Sequence, residues 1–252
     1  MCRAHWGARV VVALGMLLTG QATVRAHMRD YLVNQSYYTA SRNEFEVELW
    51  SDVNFADTDD HESWSFKQQV ELEYGLTDHL QLAYYEVYTW DQAKSWERDQ
   101  FKLEAKLRLM EAGQWPVDVA LYSEYKNPDG SRNLHSDEVE NKLILSRDFG
   151  PWNVIANLVA ERKVSTHSFW EFEYTAGVSY LLSPRTRVGL EVKESLGDEH
   201  EFGIRGQRHP LYLVPGLYTN LTDHIRILVG PAFGLTRVSD DLQLKSIVEI
   251  EF

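Results

Sequence analysis

The chain has 252 residues, with 38 acidic against 25 basic side chains and a formal net charge of −13. So acidic a balance argues against nucleic acid as a partner, because phosphate binding is driven by basic surface. The single cysteine, Cys2, excludes a disulfide framework, and no run reaches the roughly 18 apolar residues that a spanning helix needs.

Met1 to Ala26 reads as a secretory signal peptide. Arg3 and Arg9 supply a positive start, Val10 to Leu18 a short apolar stretch, and Val24-Arg25-Ala26 an approximate small-x-small cleavage site. Cleavage there removes Cys2 and the three arginines Arg3, Arg9 and Arg25, which takes the charge from −13 to −16. Residues 27–42, carrying Tyr31, Tyr37 and Tyr38, are expected to form a periplasmic arm or an inner plug. His27 would become the first residue, but a copper site there needs a second placed histidine and another fold.

From residue 43 the sequence alternates with period 2, the signature of strands with one apolar face. About twelve strands are predicted, near 43–51, 63–76, 79–90, 98–110, 115–126, 138–149, 152–162, 169–182, 186–194, 209–219, 225–236 and 242–252. In the fourth, Phe101, Leu103, Ala105, Leu107 and Leu109 oppose Lys102, Glu104, Lys106 and Arg108. In the eighth, Trp170, Phe172 and Tyr174 oppose Glu171 and Glu173. Short turns at Thr77-Asp78, Glu111 to Gln114, Gly150-Pro151, Ser183 to Arg185 and Asn220 to Asp223 alternate with longer polar loops. With the first strand starting in the periplasm, every short turn lies on the periplasmic side, as in outer-membrane barrels. The seven tryptophans that follow the proposed signal peptide, Trp50, Trp64, Trp90, Trp96, Trp115, Trp152 and Trp170, are expected at strand ends, as two aromatic girdles.

Some residues resist this threading. Glu86, Gln68 and Asn141 land on the apolar face, and a bulge near Tyr84-Tyr85 would turn Glu86 inward. Pro215 and Pro231 sit inside neighbouring strands, where each removes a ladder hydrogen bond and marks a kink or a gap in pairing. Leu76-Thr77-Asp78-His79 is echoed by Leu221-Thr222-Asp223-His224, which reads as reuse of one good turn rather than an internal repeat.

The last strand places Leu242, Leu244, Ser246, Val248, Ile250 and Phe252 on one face. A terminal strand ending in Phe resembles the C-terminal sorting signal of bacterial outer-membrane β-barrels. That resemblance spans nearly the whole mature chain. It implies an all-β, antiparallel up-and-down transmembrane barrel over 43–252 in the outer membrane of a Gram-negative-type bacterium, assembled by the barrel-assembly machinery and surrounded by outer-membrane lipids and lipopolysaccharide. The Gly75-Leu76-Thr77-Asp78 junction alone is similar to one in transporter-like barrels of the phenol meta-pathway family; it carries no functional residue.

The inward face then carries Glu44, Glu46, Glu48, Lys67, Glu71, Glu73, Lys102, Glu104, Lys106, Arg108, Glu171 and Glu173 as candidate pore-lining residues. Such a face either pairs its charges and plugs the lumen, or lines a narrow polar pore whose acid excess favours cations or neutral solutes. The expected function is a passive channel for small polar solutes. The alternative is a closed structural or ligand-binding barrel with functional extracellular loops, and a lipid-modifying enzyme ranks third. The loop clusters Asp59, Asp60, His61, Glu62 and Asp198, Glu199, His200, Glu201 offer carboxylate and imidazole to a divalent metal, without diagnostic spacing. His135-Ser136 and His167-Ser168 match no hydrolase motif, since neighbours on a strand point to opposite faces. No cofactor is implied, and no catalytic residue stands out.

Overall fold

The computed structural model describes residues 30–60, 63–91, 96–129, 136–165, 168–204 and 208–252. The proposed signal peptide and His27 lie outside the described residues. Twelve strands follow one another: β1 (Phe45–Phe55), β2 (Trp64–Gly75), β3 (Leu80–Asp91), β4 (Glu97–Arg108), β5 (Asp118–Pro128), β6 (Glu138–Phe149), β7 (Trp152–Lys163), β8 (Trp170–Ser183), β9 (Thr186–Asp198), β10 (Leu211–Asn220), β11 (Ile225–Gly234) and β12 (Leu242–Glu251). Each pairs antiparallel with its sequence neighbours, and β1 closes on β12 from Glu46↔Glu251 to Phe55↔Leu242. Closure leaves no sheet edge, which is the condition for strands to cross a hydrocarbon layer.

Side-chain alternation turns this closure into two surfaces. Leu49, Leu72, Leu103, Leu107, Leu121, Leu158, Leu190, Leu217 and Leu244 are exposed on the outside, while Glu46, Glu48, Glu71 and Glu73 are buried on the inside. This is the reverse of a soluble core, and it makes the outer belt a lipid-facing one. At the membrane boundary Trp64 packs on Trp90, and Phe66 on Trp96, on the loop side; Trp152 packs on Tyr180 on the turn side.

The structure corrects four expectations. β1 does not stop near residue 51: it is paired on both sides out to Phe55, with Val53 opposite Phe66 and Leu244. Trp50 is therefore mid-strand and points inward, where its Nε1 donates to Glu71 at 3.0 Å; it belongs to the lumen, not to a girdle. The connection between β4 and β5 is not a tight turn but spans 109–117, and Trp115 lies within it. No bulge turns Glu86 inward. The register of β3 and β4 shifts instead at Val87/Tyr88, leaving Asp99 as the extra residue. Past the bulge Arg98 changes face, and its Nε donates to Glu86 at 2.8 Å, with Tyr84 also hydrogen-bonded to that carboxylate. The outward acid is thus neutralised where it stands. Gln68, also outward, bonds Ser51 Oγ at 2.9 Å and Trp50 O at 2.7 Å.

The two prolines do interrupt the ladder. Between β10 and β11 the pairing runs Tyr212↔Gly234 and Leu213↔Phe233, then resumes at Leu217↔Val229. The repeated turn is one structure used twice. Leu76 N and Leu221 N each donate to the residue four ahead at 2.9 Å, and Thr77 and Thr222 each accept from the following His N–H at 3.2 Å.

Candidate functional site: the lumen and the segment inside it

Residues 30–42 lie inside the barrel, against its inner wall on the side of the short turns. Asp30 is clamped by Arg226 and by Arg187 Nε at 3.5 Å. The Glu191 carboxylate then accepts from three successive backbone N–H groups, Leu32 at 2.7 Å, Val33 at 2.9 Å and Asn34 at 3.0 Å. It also accepts from Asn34 Nδ2 at 2.9 Å and Tyr218 OH at 2.8 Å. A buried carboxylate with five donors is well compensated, because charge-assisted hydrogen bonds are the strong ones. Further along, Gln35 N donates to Asn157 Oδ1 at 2.7 Å, Tyr37 OH to Met110 O at 2.5 Å and Ala40 N to Gln81 Oε1 at 2.8 Å.

Apolar contacts follow the same path. Tyr31 and Tyr37 pack with Met110, Ala120, Tyr122, Ile144 and Ile155, and Leu32 packs with Tyr212, Val214, Tyr218, Leu228, Ala232 and Ile247. Gly177 is needed here: a Cβ would lie 2.8 Å from the Tyr31 ring. At Gly75, the last residue of β2, a Cβ would lie 1.8 Å from Ser41 O, where the segment passes the strand end before Asn43, in the left-handed region at φ 67°, turns it into β1. Burial raises the hydroxyls of Tyr31 and Tyr38 above the ordinary phenol range, aided for Tyr38 by the neighbouring Asp148 carboxylate. Both therefore stay protonated and donate, Tyr31 to Asn153 Oδ1 at 2.6 Å and Tyr38 to Asp148 at 2.9 Å.

The charges that the sequence places inward are sorted along the barrel axis. Near the short turns, Glu44, Glu46 and Glu251 lie with carboxylate oxygens within 4.8 Å of one another. So do Glu46, Glu48 and Glu73, and so do Glu71, Glu73 and Glu104. These acids come from β12, β1, β2 and β4 and from Glu44 just before β1; they form one collar, half-buried at Glu44 and Glu251 and buried at the others, in which Tyr85 bonds Glu104. Lys106 is buried beside them on β4, and Arg108 donates to Thr39 Oγ1 at 3.0 Å and so holds the N-terminal segment rather than a pore wall.

Toward the longer loops the lumen opens into a cavity of about 540 Å³, floored by Leu32, Val33 and Gln35 of the inner segment. Six lysines line it, Lys67, Lys102, Lys126, Lys142, Lys193 and Lys245, against four carboxylates, Asp52, Glu124, Glu140 and Glu173. Most are ion-paired: across strands Lys245–Asp52 at 2.9 Å, Lys126–Glu140 at 2.7 Å and Lys193–Glu173 at 3.1 Å, and along β6 Lys142–Glu140 at 2.7 Å. Glu171 is exposed near the loop-side end of β8.

The loop acids are used structurally. Asp198 Oδ1 accepts from His200 N at 2.8 Å and Glu201 N at 2.9 Å, and His200 stands edge-on to Phe169. Asp59 N donates to Asp57 at 2.8 Å. Among the described residues neither set of loop acids is gathered into a ligand cluster, and His61, Glu62, His135 and His167 lie outside them. Ser168 Oγ donates to Lys163 O at 2.5 Å and accepts from Arg162 Nε at 3.0 Å.

No protein-family model matches the chain, and no curated protein matches its sequence. Solved structures do. An outer membrane channel from Pseudomonas putida F1 superposes with TM-score 0.60 at 12% identity, covering 90% of this chain and 100% of that one. The KdgM porin in complex with disordered oligogalacturonate gives 0.57 at 8% identity over 82% and 98% of the two chains. The NanC porin gives 0.52 at 10% identity over 82% and 97%. At these identities the likeness is one of fold. The chain has the closed barrel of bacterial outer-membrane proteins, and its apolar belt places it in that membrane. The narrower resemblance to the phenol meta-pathway family is not among these findings.

Proposed function

We propose that the protein is a narrow passive channel for small polar solutes, entered from the loop side through the lysine-lined cavity and narrowed below it by residues 30–42 and the acidic collar. The observation that carries this reading is the cavity itself, a polar space of about 540 Å³ inside a membrane barrel, continuous with the inward charged face. A solute that reaches the constriction meets carboxylates from Glu44 to Glu251, a field that favours cations and neutral molecules over anions. The fold shared with a channel and two porins supports the same reading.

The test is single-channel recording of the refolded chain in planar bilayers under a salt gradient. Discrete steps with cation preference are expected. Replacing Glu44, Glu46 and Glu48 together by Gln should move the reversal potential toward zero, and an unchanged potential would remove the collar from the selectivity filter. A second reading has its own observation: the inner segment is bonded tightly enough to fill the turn-side half of the lumen. A silent but heat-modifiable barrel would select that closed, ligand-binding alternative.

A further inference from the structure

We infer that Trp50 and Tyr85 are the positioning residues of the acidic collar. Each donates one hydrogen bond to a carboxylate on its cavity side, and together they set the charge that a solute meets on leaving the cavity. This rests on the reading of the collar as the selective constriction, and it adds the residues that hold it so.

Two strand pairs carry the same diagonal. Across β1 and β2 the partner of Trp50 is Gln69, and the indole Nε1 donates past it to Glu71 Oε2 at 3.0 Å, two residues nearer the short turns. Across β3 and β4 the partner of Tyr85 is Lys102, and the phenol donates past it to Glu104, again two residues nearer the short turns. Diagonal neighbours in a sheet are about 7–8 Å apart, a gap that a long aromatic side chain spans. Trp50 and Tyr85 line the cavity, and both acceptors belong to the collar below, where Glu71, Glu73 and Glu104 bring carboxylate oxygens within 4.8 Å of one another. The two aromatics therefore stand at the boundary between the cavity of paired charges and the acids.

The chemistry gives these bonds a consequence. Carboxylates at such spacing repel one another, and a crowded cluster tends to shed charge by taking up protons. A donor aimed at a carboxylate favours the charged form and fixes the direction of its oxygens. Trp and Tyr suit the task, because each carries one donor hydrogen at the edge of a flat apolar body that packs against the wall. Both donors are themselves held. Trp50 packs against the apolar cluster that includes Ile247, its partner on β12. Lys102 Nζ lies 5.2 Å from the centre of the Tyr85 ring. Glu104 also accepts from Gln81 Nε2, at the longer distance of 3.4 Å. Donors locked by packing present the rim acids in one arrangement.

Trp50→Phe and Tyr85→Phe remove the donor hydrogen and keep a ring. In planar bilayers under a salt gradient, each should move the reversal potential toward zero. The cation-to-anion permeability ratio should fall roughly twofold or more, with conductance changed by less than about twofold. A merely structural role would not produce the expected pairing. Trp50→Phe should add nothing once Glu71→Gln is present and keep its effect beside Glu104→Gln; Tyr85→Phe should do the reverse. Heat-modifiable migration shows that each barrel has closed. If Trp50→Phe fails to close, Tyr85→Phe, which loses a single oxygen, carries the test. Unchanged reversal potentials in both variants would overturn the inference, as would the same shift whichever acid is replaced. A silent parent barrel sinks the channel reading alone. The pairing is then read from the midpoint of heat-modifiability, where the Trp50→Phe, Glu71→Gln cycle should be non-additive and an additive cycle would overturn it.

Discussion

One carboxylate holds the inner segment in place. Glu191 is fully buried and accepts from Leu32, Val33 and Asn34 of the segment and from Tyr218 of β10, so most of its compensation is lost when the segment undocks. Removing it leaves three buried backbone N–H groups without their acceptor, and each orphaned donor costs about 1–3 kcal/mol. Glu191→Ala should weaken docking by roughly 2–4 kcal/mol, a factor of about thirty to a thousand in the docked population. Glu191→Gln, which keeps an acceptor, should do less. Limited proteolysis reads the difference: the segment should be cut faster in Glu191→Ala than in the parent, with the barrel resistant in both. Equal cleavage would assign the docking to the apolar contacts of Tyr31, Leu32 and Tyr37 instead.

At the scale of strands, the wall is weakest where β10 meets β11. Val214, Pro215 and Gly216 have no ladder partner in β11, and Pro231 has none in β10. Neither proline has an N–H to give, so closure there rests on the flanking pairs at Leu213↔Phe233 and Leu217↔Val229. Backbone amides at Val214, Gly216, Gly230 and Ala232 should therefore exchange with deuterium faster than those at the matching depth of β1–β2, where the register is unbroken. Uniform protection around the barrel would mean that packing of Leu32 and Ile247 behind the seam closes it. This seam was legible in the sequence, since a proline in a strand has a fixed consequence. So were the strand order and the apolar belt. The path of residues 30–42 was not, because three tyrosines and a leucine without periodicity fit an arm as well as a plug. Its docking surface is written in inward apolar residues such as Ile144, Ile155 and Leu228, scattered one or two to a strand. The bulge at Asp99 was also hidden: it answers a partnership between Glu86 and Arg98, which no single strand reveals.

Across the whole molecule, the acidic collar lies toward the short turns and the cavity of paired lysines and carboxylates toward the longer loops, with the inner segment flooring that cavity. Its backbone adds no strand to the wall, whose ladder is complete from β1 to β12 without it. A variant lacking residues 30–42 should therefore still close and remain heat-modifiable, although it loses the packing of Tyr31, Leu32 and Tyr37 and unfolds at lower temperature. Its lumen would keep the collar of Glu46, Glu48, Glu71, Glu73 and Glu104 while losing the obstruction beside it. Single-channel conductance should rise severalfold with cation preference retained, because the carboxylates nearest the passing ion are unchanged. Higher conductance with preference lost would mean that the docked segment holds the collar in its selective arrangement. Conductance equal to that of the full chain would place the narrowest point in the lysine-lined half, among the ion pairs of Lys126, Glu140 and Glu161.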